Sequence, residues 1–188
     1  MMEYKKYRWF YTSEDTLVVG GKSAEQNDKL LREILETKKE YYVMHTRMPG
    51  SPFAVILGDM KKISEKELEE CSRFTACFSR AWKQGAKKAI VDVFSTKDIS
   101  KSREMKEGTW SVRRKIKSME ADLKLSLIKQ KGVLRAVPYS SGKSFATICP
   151  GKLDKQQLSA KLEVIFGDEF KNEEIIMALP SGSSRIIK

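Results

Sequence analysis

The sequence has little of what most enzyme chemistry needs. It contains one histidine, His45, and three cysteines, Cys71, Cys77 and Cys149. A hydrolytic triad would rest on that one imidazole, and no Gly-x-Ser-x-Gly nucleophile turn accompanies it. The cysteines are odd in number and sit at spacings that no common zinc site uses. Cys71 and Cys77 lie six apart, on different faces of a helix, so all three are expected as reduced thiols of a cytoplasmic protein. No apolar run approaches the ~20 residues of a membrane-spanning helix, and the polar start from Met1 to Arg8 predicts no signal peptide. No membrane partner is therefore expected.

Two short motifs fail on a missing glycine. Gly21-Lys22-Ser23 ends like a nucleotide-binding P-loop, but the glycine required five positions before Gly21 is Thr16. Gly142-Lys143-Ser144 fails in the same way, with Val137 at the required position. A metal-dependent nuclease would need two or three converging carboxylates. Asp92, Asp98, Glu104 and Glu107 flank a basic stretch without a pairing that brings them together, which makes the nuclease the weakest alternative. The expectation is no cofactor, no metal and no enzymatic activity.

What is present is an ordinary core and an uneven charge. Hydrophobic residues make up 40% of the 188, with three Trp, six Tyr and eight Phe spread among aliphatic runs. That excludes disorder and suits one domain or two small ones. Lys and Arg number 36 against 25 Asp and Glu, a formal charge of +11. Residues 1–79 balance to zero, residues 80–135 carry +10 and residues 136–188 carry +1. A surface charged only for solubility would spread its excess; concentration in the middle third points to a polyanion.

Patterning gives the elements. Tyr7–Tyr11 and Leu17–Val19 read as a hairpin around Thr12-Ser13-Glu14-Asp15. Ser23 with Gln26 has capping-box spacing and opens a helix over residues 24–36, with Leu30, Leu31, Ile34 and Leu35 at helical period. Strands are expected over 40–45 and 53–57, around a Met48–Pro52 turn. Ser64 with Glu67 starts a second helix, whose apolar positions run from Leu68 to Trp82 and which Gln84-Gly85 would close. Further strands are expected over 88–94, 108–116, 119–127, 133–137 and 144–149. Asp154 caps a helix to Phe166, and 173–179 adds a further turn or two. The fold class is α+β: a mostly antiparallel mixed sheet, two early helices and one or two C-terminal helices. Residues 1–150 are expected to form the main domain, with 151–188 a helical appendage packed on it.

The candidate binding residues follow from charge and turns. Gly20, Gly21, Lys22 and Ser23 join a strand to a helix N-terminus, where backbone amides and Lys22 could hold an anion. Arg80, Lys83, Lys87 and Lys88 lead into the basic stretch. Lys97, Lys101, Arg103 and Lys106 occupy a polar loop, and Arg113, Arg114, Lys115 and Lys117 follow Trp110, which could stack on a base.

Several blocks in order then resemble a known family. Tyr7-Arg8-Trp9-Phe10 followed by Leu17 through Asp28 resembles the opening signature of the NFACT RNA-binding domain (NFACT-R), a module of ribosome quality-control factors of the NEMF and RqcH group. Val43 through Ser51 resembles its histidine strand and Pro-Gly-Ser turn. Ala81-Trp82-Lys83, Asp92-Val93-Phe94, Ser100-Lys101, Gly108-Thr109-Trp110 and Arg114-Lys115 agree as well. The likeness covers roughly residues 4–117; residues 118–188 match no family recognised in the sequence. The resemblance implies an RNA-binding module with ribosomal RNA or transfer RNA as target and the large ribosomal subunit as an expected partner. It carries binding roles onto Gly20, Gly21, Lys22, Gln26, Asn27, His45, Lys101, Arg114 and Lys115, and leaves the oligomeric state open; Arg47, beside His45, is a further candidate. A protein-interaction adaptor meeting an acidic ribosome-associated partner is the alternative.

Overall fold

The computed structural model describes residues 2–139 and 143–187; Gly142, of the second failed P-loop motif, lies outside them. Arg8–Tyr11 (β1) and Leu17–Gly20 (β2) pair as the expected antiparallel hairpin, with Phe10 opposite Val18. The Ser23 hydroxyl accepts from Gln26 N and starts α1, Ala24–Glu36. Only half of the capping box forms, because the Gln26 carboxamide turns instead to Lys22 N at 3.1 Å. Tyr42–Thr46 (β3) and Ala54–Ile56 (β4) follow, then Glu65–Cys77 (α2), which carries a full Ser64/Glu67 capping box. After Arg80–Lys83 (α3) come Lys88–Ser95 (β5), a short ribbon of Ile99–Ser100 (β6) with Ser111–Val112 (β7), and Lys117–Asp122 (β8).

Six of these strands form one sheet in the order β1-β2-β4-β3-β5-β8, every neighbouring pair antiparallel. Side chains alternate between its faces. Val18, Met44, Ala54, Ile56, Val91 and Val93 pack against Leu68, Cys71 and Phe74 of α2. Val19, Val43, Val55 and Phe94 pack against Leu30, Leu31 and Ile34 of α1 on the other face. Each such aliphatic side chain, fully buried, contributes roughly 1.5–3 kcal/mol.

A second antiparallel sheet comprises Leu125–Gln130 (β9), Val133–Val137 (β10), Ala146–Leu153 (β11) and Ser184–Ile186 (β12), in the order β10-β9-β11-β12. Lys155–Phe166 (α4), capped by Asp154, and Asn172–Ala178 (α5) cover it. Leu125, Leu127, Leu134, Ile148, Leu158 and Leu162 belong to the same apolar cluster as α2, so one core runs between the sheets. Gln130 also reaches the outer edge of β1: it accepts from Tyr11 N at 2.9 Å and donates to Tyr11 O at 2.8 Å.

Four expectations differ from the structure. The helix expected from Ser64 to Gly85 breaks after Cys77, because the Ser79 hydroxyl donates to Ala76 O and caps a new turn at Ala81 N. The strand expected over 119–127 is two strands in different sheets; Leu123 N donates to Lys87 O and the chain crosses over there. Of residues 108–116 only Ser111–Val112 pair as a strand. β11 continues through Pro150 and Gly151 by a register shift and takes up β12, a strand too short to read from alternation.

Candidate nucleic-acid interface

The join between β2 and α1 is built around Asn27. A Cβ on Gly21 would sit 2.2 Å from Asn27 Oδ1, so only glycine lets the strand end pass this side chain. Asn27, 7% exposed, accepts from Phe53 N at 3.0 Å and donates to Ser51 O at 3.4 Å. This ties the Met48–Pro52 turn to α1. Gly50 has φ +103, a conformation side chains disfavour, and a Cβ there would lie 2.6 Å from the Arg80 side chain.

The opposite wall hangs on Asp28. Its carboxylate accepts from Lys101 Nζ at 2.7 Å, Trp110 Nε1 at 2.8 Å and Gly108 N at 3.1 Å. Burial pushes the Asp28 pKa up, but these donors outweigh it and hold the group below the usual carboxylate range. Lys101 Nζ also donates to Lys106 O and Thr109 O, so one ammonium staples the loop closed.

Between these walls lies a cleft of about 580 Å³. Gly21, Lys22, Ser23, Asn27, His45, Arg47, the 49–53 turn and Gly108-Thr109-Trp110 line it, with Arg8 and Arg80 adding positive charge and Glu107 one negative. The His45 Nδ1 lies 2.7 Å from Thr46 O and must donate there, which leaves Nε2 as an acceptor. Burial lowers the His45 pKa below its usual value, outweighing the Thr46 carbonyl and the charge of Asp92. Its ring packs 4.5 Å from Phe53.

The structure thus brings together Gly21, Lys22, Ser23, Asn27, His45, Arg47 and Trp110, with Gly20 buried at the strand end just before them. Gln26 stands beside them, its carboxamide occupied by Lys22 N. Lys22 N and Gln26 N are already bound, so these two N–H groups of the turn are not free to meet an anion. Trp110 is 9% exposed, packs in the α1 core and has its Nε1 on Asp28, so its face is not an open stacking platform.

The basic middle third does not form one face. Lys101, with its side chain 9% exposed, is a strut on the α1 side. Lys117 pairs with Glu65 of α2 on the opposite side, Lys88 with Glu120 and Lys97 with Glu40. Arg47 and Lys115 share Asp92, while Arg113 and Arg114 share Asp98. Four cations on two carboxylates leave a net charge of two. Lys83, Lys87, Arg103 and Lys106 have no carboxylate partner among the described residues. Of the carboxylates suggested for a nuclease, Asp92 and Asp98 are engaged by cations. Asp92 accepts from Ser118 and Arg47, and among the described residues no three His, Cys, Asp or Glu converge as metal ligands.

Arg8 and Arg80 line the cleft; Arg80 belongs to the basic stretch read from the sequence, whereas Arg8 is not among the candidate residues. Arg8 lies in a stretch of zero net charge, which hides it from charge counting. Strand parity reveals it: Arg8 shares a face with the buried Phe10, and its guanidinium stacks 4.2 Å from the Phe78 ring centre.

Fold and cleft together describe a small α+β module with a cationic groove lined from both the α1 side and the Phe78–Arg80 turn after α2. The chain belongs to the family described as the NFACT protein RNA binding domain, whose pattern matches residues 6–114. It is 30% identical over 98% of its length to the archaeal Rqc2 homolog aRqcH of Methanocaldococcus jannaschii, covering 29% of that protein. Residues 118–188, for which the sequence suggested no counterpart, therefore fall within a matched region. The NEMF subunit of the human ribosome quality control complex is 31% identical over 42% of this chain and 7% of its own length. The chain thus spans less than a third of these relatives. Among solved structures, the C-terminal part of the fibronectin/fibrinogen-binding protein from Streptococcus suis shares the fold. It aligns with a TM-score of 0.54 at 22% identity, over 64% of this chain and 47% of that one.

Proposed function

We propose that this chain binds RNA through the cleft between the Gly21–Asn27 turn, the Met48–Pro52 turn and the Gly108–Trp110 wall. The observation that carries this reading is the convergence of Lys22, Arg80 and Arg8, none paired to a carboxylate among the described residues, on a groove in a family of RNA-binding domains. Arg47, Arg113, Arg114 and Lys115 extend the positive surface beyond the groove. Contacts of this kind grip phosphates and position an RNA without reading its sequence. Ribosomal RNA or transfer RNA is the target class, because human NEMF, a relative, is named as a subunit of the ribosome quality control complex. The chain works as a binding module rather than a catalyst.

Filter binding of transfer RNA and a ribosomal RNA fragment at two salt concentrations tests this. Lys22→Ala with Arg80→Ala should weaken binding to both RNAs and flatten the salt dependence. Unchanged affinity would overturn the reading. Stronger competition by polyglutamate than by RNA would favour an adaptor for an acidic protein.

A further inference from the structure

Four cations that the family match does not unite lie together where the two sheets meet. Arg8 stands on β1 opposite Gly20, two residues before Lys22. Arg135 stands on β10, with its guanidinium 4.0 Å over the ring of Trp9. Lys155 is the first residue of α4. Arg135 and Lys155 both lie outside residues 6–114.

No carboxylate neutralises any of the four among the described residues, whereas seven cations of the loop and strands between residues 88 and 117 are each within reach of one. Burial lowers the pKa of Arg8, Lys22 and Lys155, and repulsion adds to it: Arg135 acts on Arg8, Arg8 and Arg135 on Lys22, and Arg8 on Lys155. Arg135 Nε is buried with no hydrogen-bond partner, and the Lys155 ammonium finds a main-chain carbonyl, Ile176 O at 3.3 Å. The aromatic faces of Phe78 and Trp9 hold the two guanidinium planes in place. A fold that spaces like charges with stacking partners and leaves a donor unused is arranged for an anion from outside.

We propose that Arg8, Lys22, Arg135 and Lys155 form one site for successive phosphates of an RNA backbone, so that the strand leaves the cleft over β1 and crosses onto the second sheet. This rests on the RNA-binding reading above and extends it: the C-terminal sheet becomes half of the interface. Arginine supplies the planar fork that phosphate oxygens accept in pairs, and the lysines supply point charges on either side.

The test uses the full chain with poly(U) as probe and affinity measured across a salt series. The double variant Arg135→Ala/Lys155→Ala is compared with Lys152→Ala/Lys161→Ala, which removes the same charge from exposed positions of the same C-terminal unit. Each lost phosphate contact flattens the slope of log affinity against log salt by about 0.7 on a single strand. Losing two should flatten it by about 1.4, so the advantage of the wild type shrinks about sevenfold between about 50 and 200 mM salt. The Lys152/Lys161 variant should keep a slope close to the wild type. Lys22→Gln, at an exposed position, should flatten the slope by about 0.7 without lowering the melting temperature, and guards against a fold defect in the double variant. Wild-type binding with equal slopes for both double variants would overturn the composite site and leave the cleft reading intact. Failure of the wild type to bind poly(U), transfer RNA or ribosomal RNA would overturn both.

Discussion

Removing the Asp28 carboxylate should loosen one wall of the cleft at a cost that can be worked from its three donors. In Asp28→Ala, Trp110 Nε1 loses its acceptor inside the α1 core and Gly108 N loses its own. Lys101 keeps Lys106 O and Thr109 O but becomes a mostly buried charge without a counter-charge. Breaking a buried ion pair on one side costs about 3–5 kcal/mol. The retained carbonyls and the nearness of solvent place Asp28→Ala at the lower end, about 3 kcal/mol. For a chain of this size that is about 6–12 °C in Tm. Circular dichroism melts and urea titration measure it. RNA affinity should fall as well, because residues 107–110 line the cleft, yet the salt slope should stay unchanged since no phosphate contact is removed. A destabilisation below about 1 kcal/mol would refute the assignment of Asp28 as the hub of this wall.

Other perturbations test the remaining parts. Gly21→Ala drives a methyl group into the Asn27 carboxamide and should cost about 1–3 kcal/mol by overpacking, read as a lower urea midpoint; a neutral substitution would contradict the close approach. Acid should destabilise the protein in a defined direction. Asp28, Asp92 and Glu67 are held below their usual pKa despite burial, by Lys101 and Trp110, by Arg47 and Ser118, and by Thr16 and Ser64. The unfolded chain therefore binds protons first, so their stabilisation is complete above the ordinary carboxylate range and is lost as pH falls through the lower folded values. Stability that stays flat from neutral to pH ~3 would contradict this. His45 should titrate in NMR with a midpoint below ~6.5, since its buried ring resists protonation; a midpoint above that value would refute its packing against Phe53.

Local rules were enough for elements whose ends are set by their own residues. α1 begins and stops where Ser23 and the leucine spacing put it, and β10 and α4 match their expected bounds. The rules failed where a distant backbone group decided the outcome. Gly50 O, from the turn beyond β3, takes the N–H of Arg80 just after the break in the expected helix. At Leu123 the chain changes sheets although its alternation continues, because a period of two does not say which sheet a strand joins. The cleft was legible as separate pieces, the glycine turn, the histidine strand and the Trp110 block, since each has its own motif. Charge counting located a basic region but could not tell a strut such as Lys101 from a binding residue. That distinction depends on Asp28, which lies 73 positions earlier.

The side chain of Gln130 imitates a peptide group and closes the rim of the larger sheet at Tyr11. Trimming the protein to the 6–114 family match would strip that seal along with β8, the strand at the far rim. Both borders would then present bare amides and carbonyls to solvent, and the α2 side would lose the leucines it leans on. Such a fragment should self-associate edge to edge, so biochemical work on the RNA-binding half needs the second sheet and its helices as well to stay monodisperse.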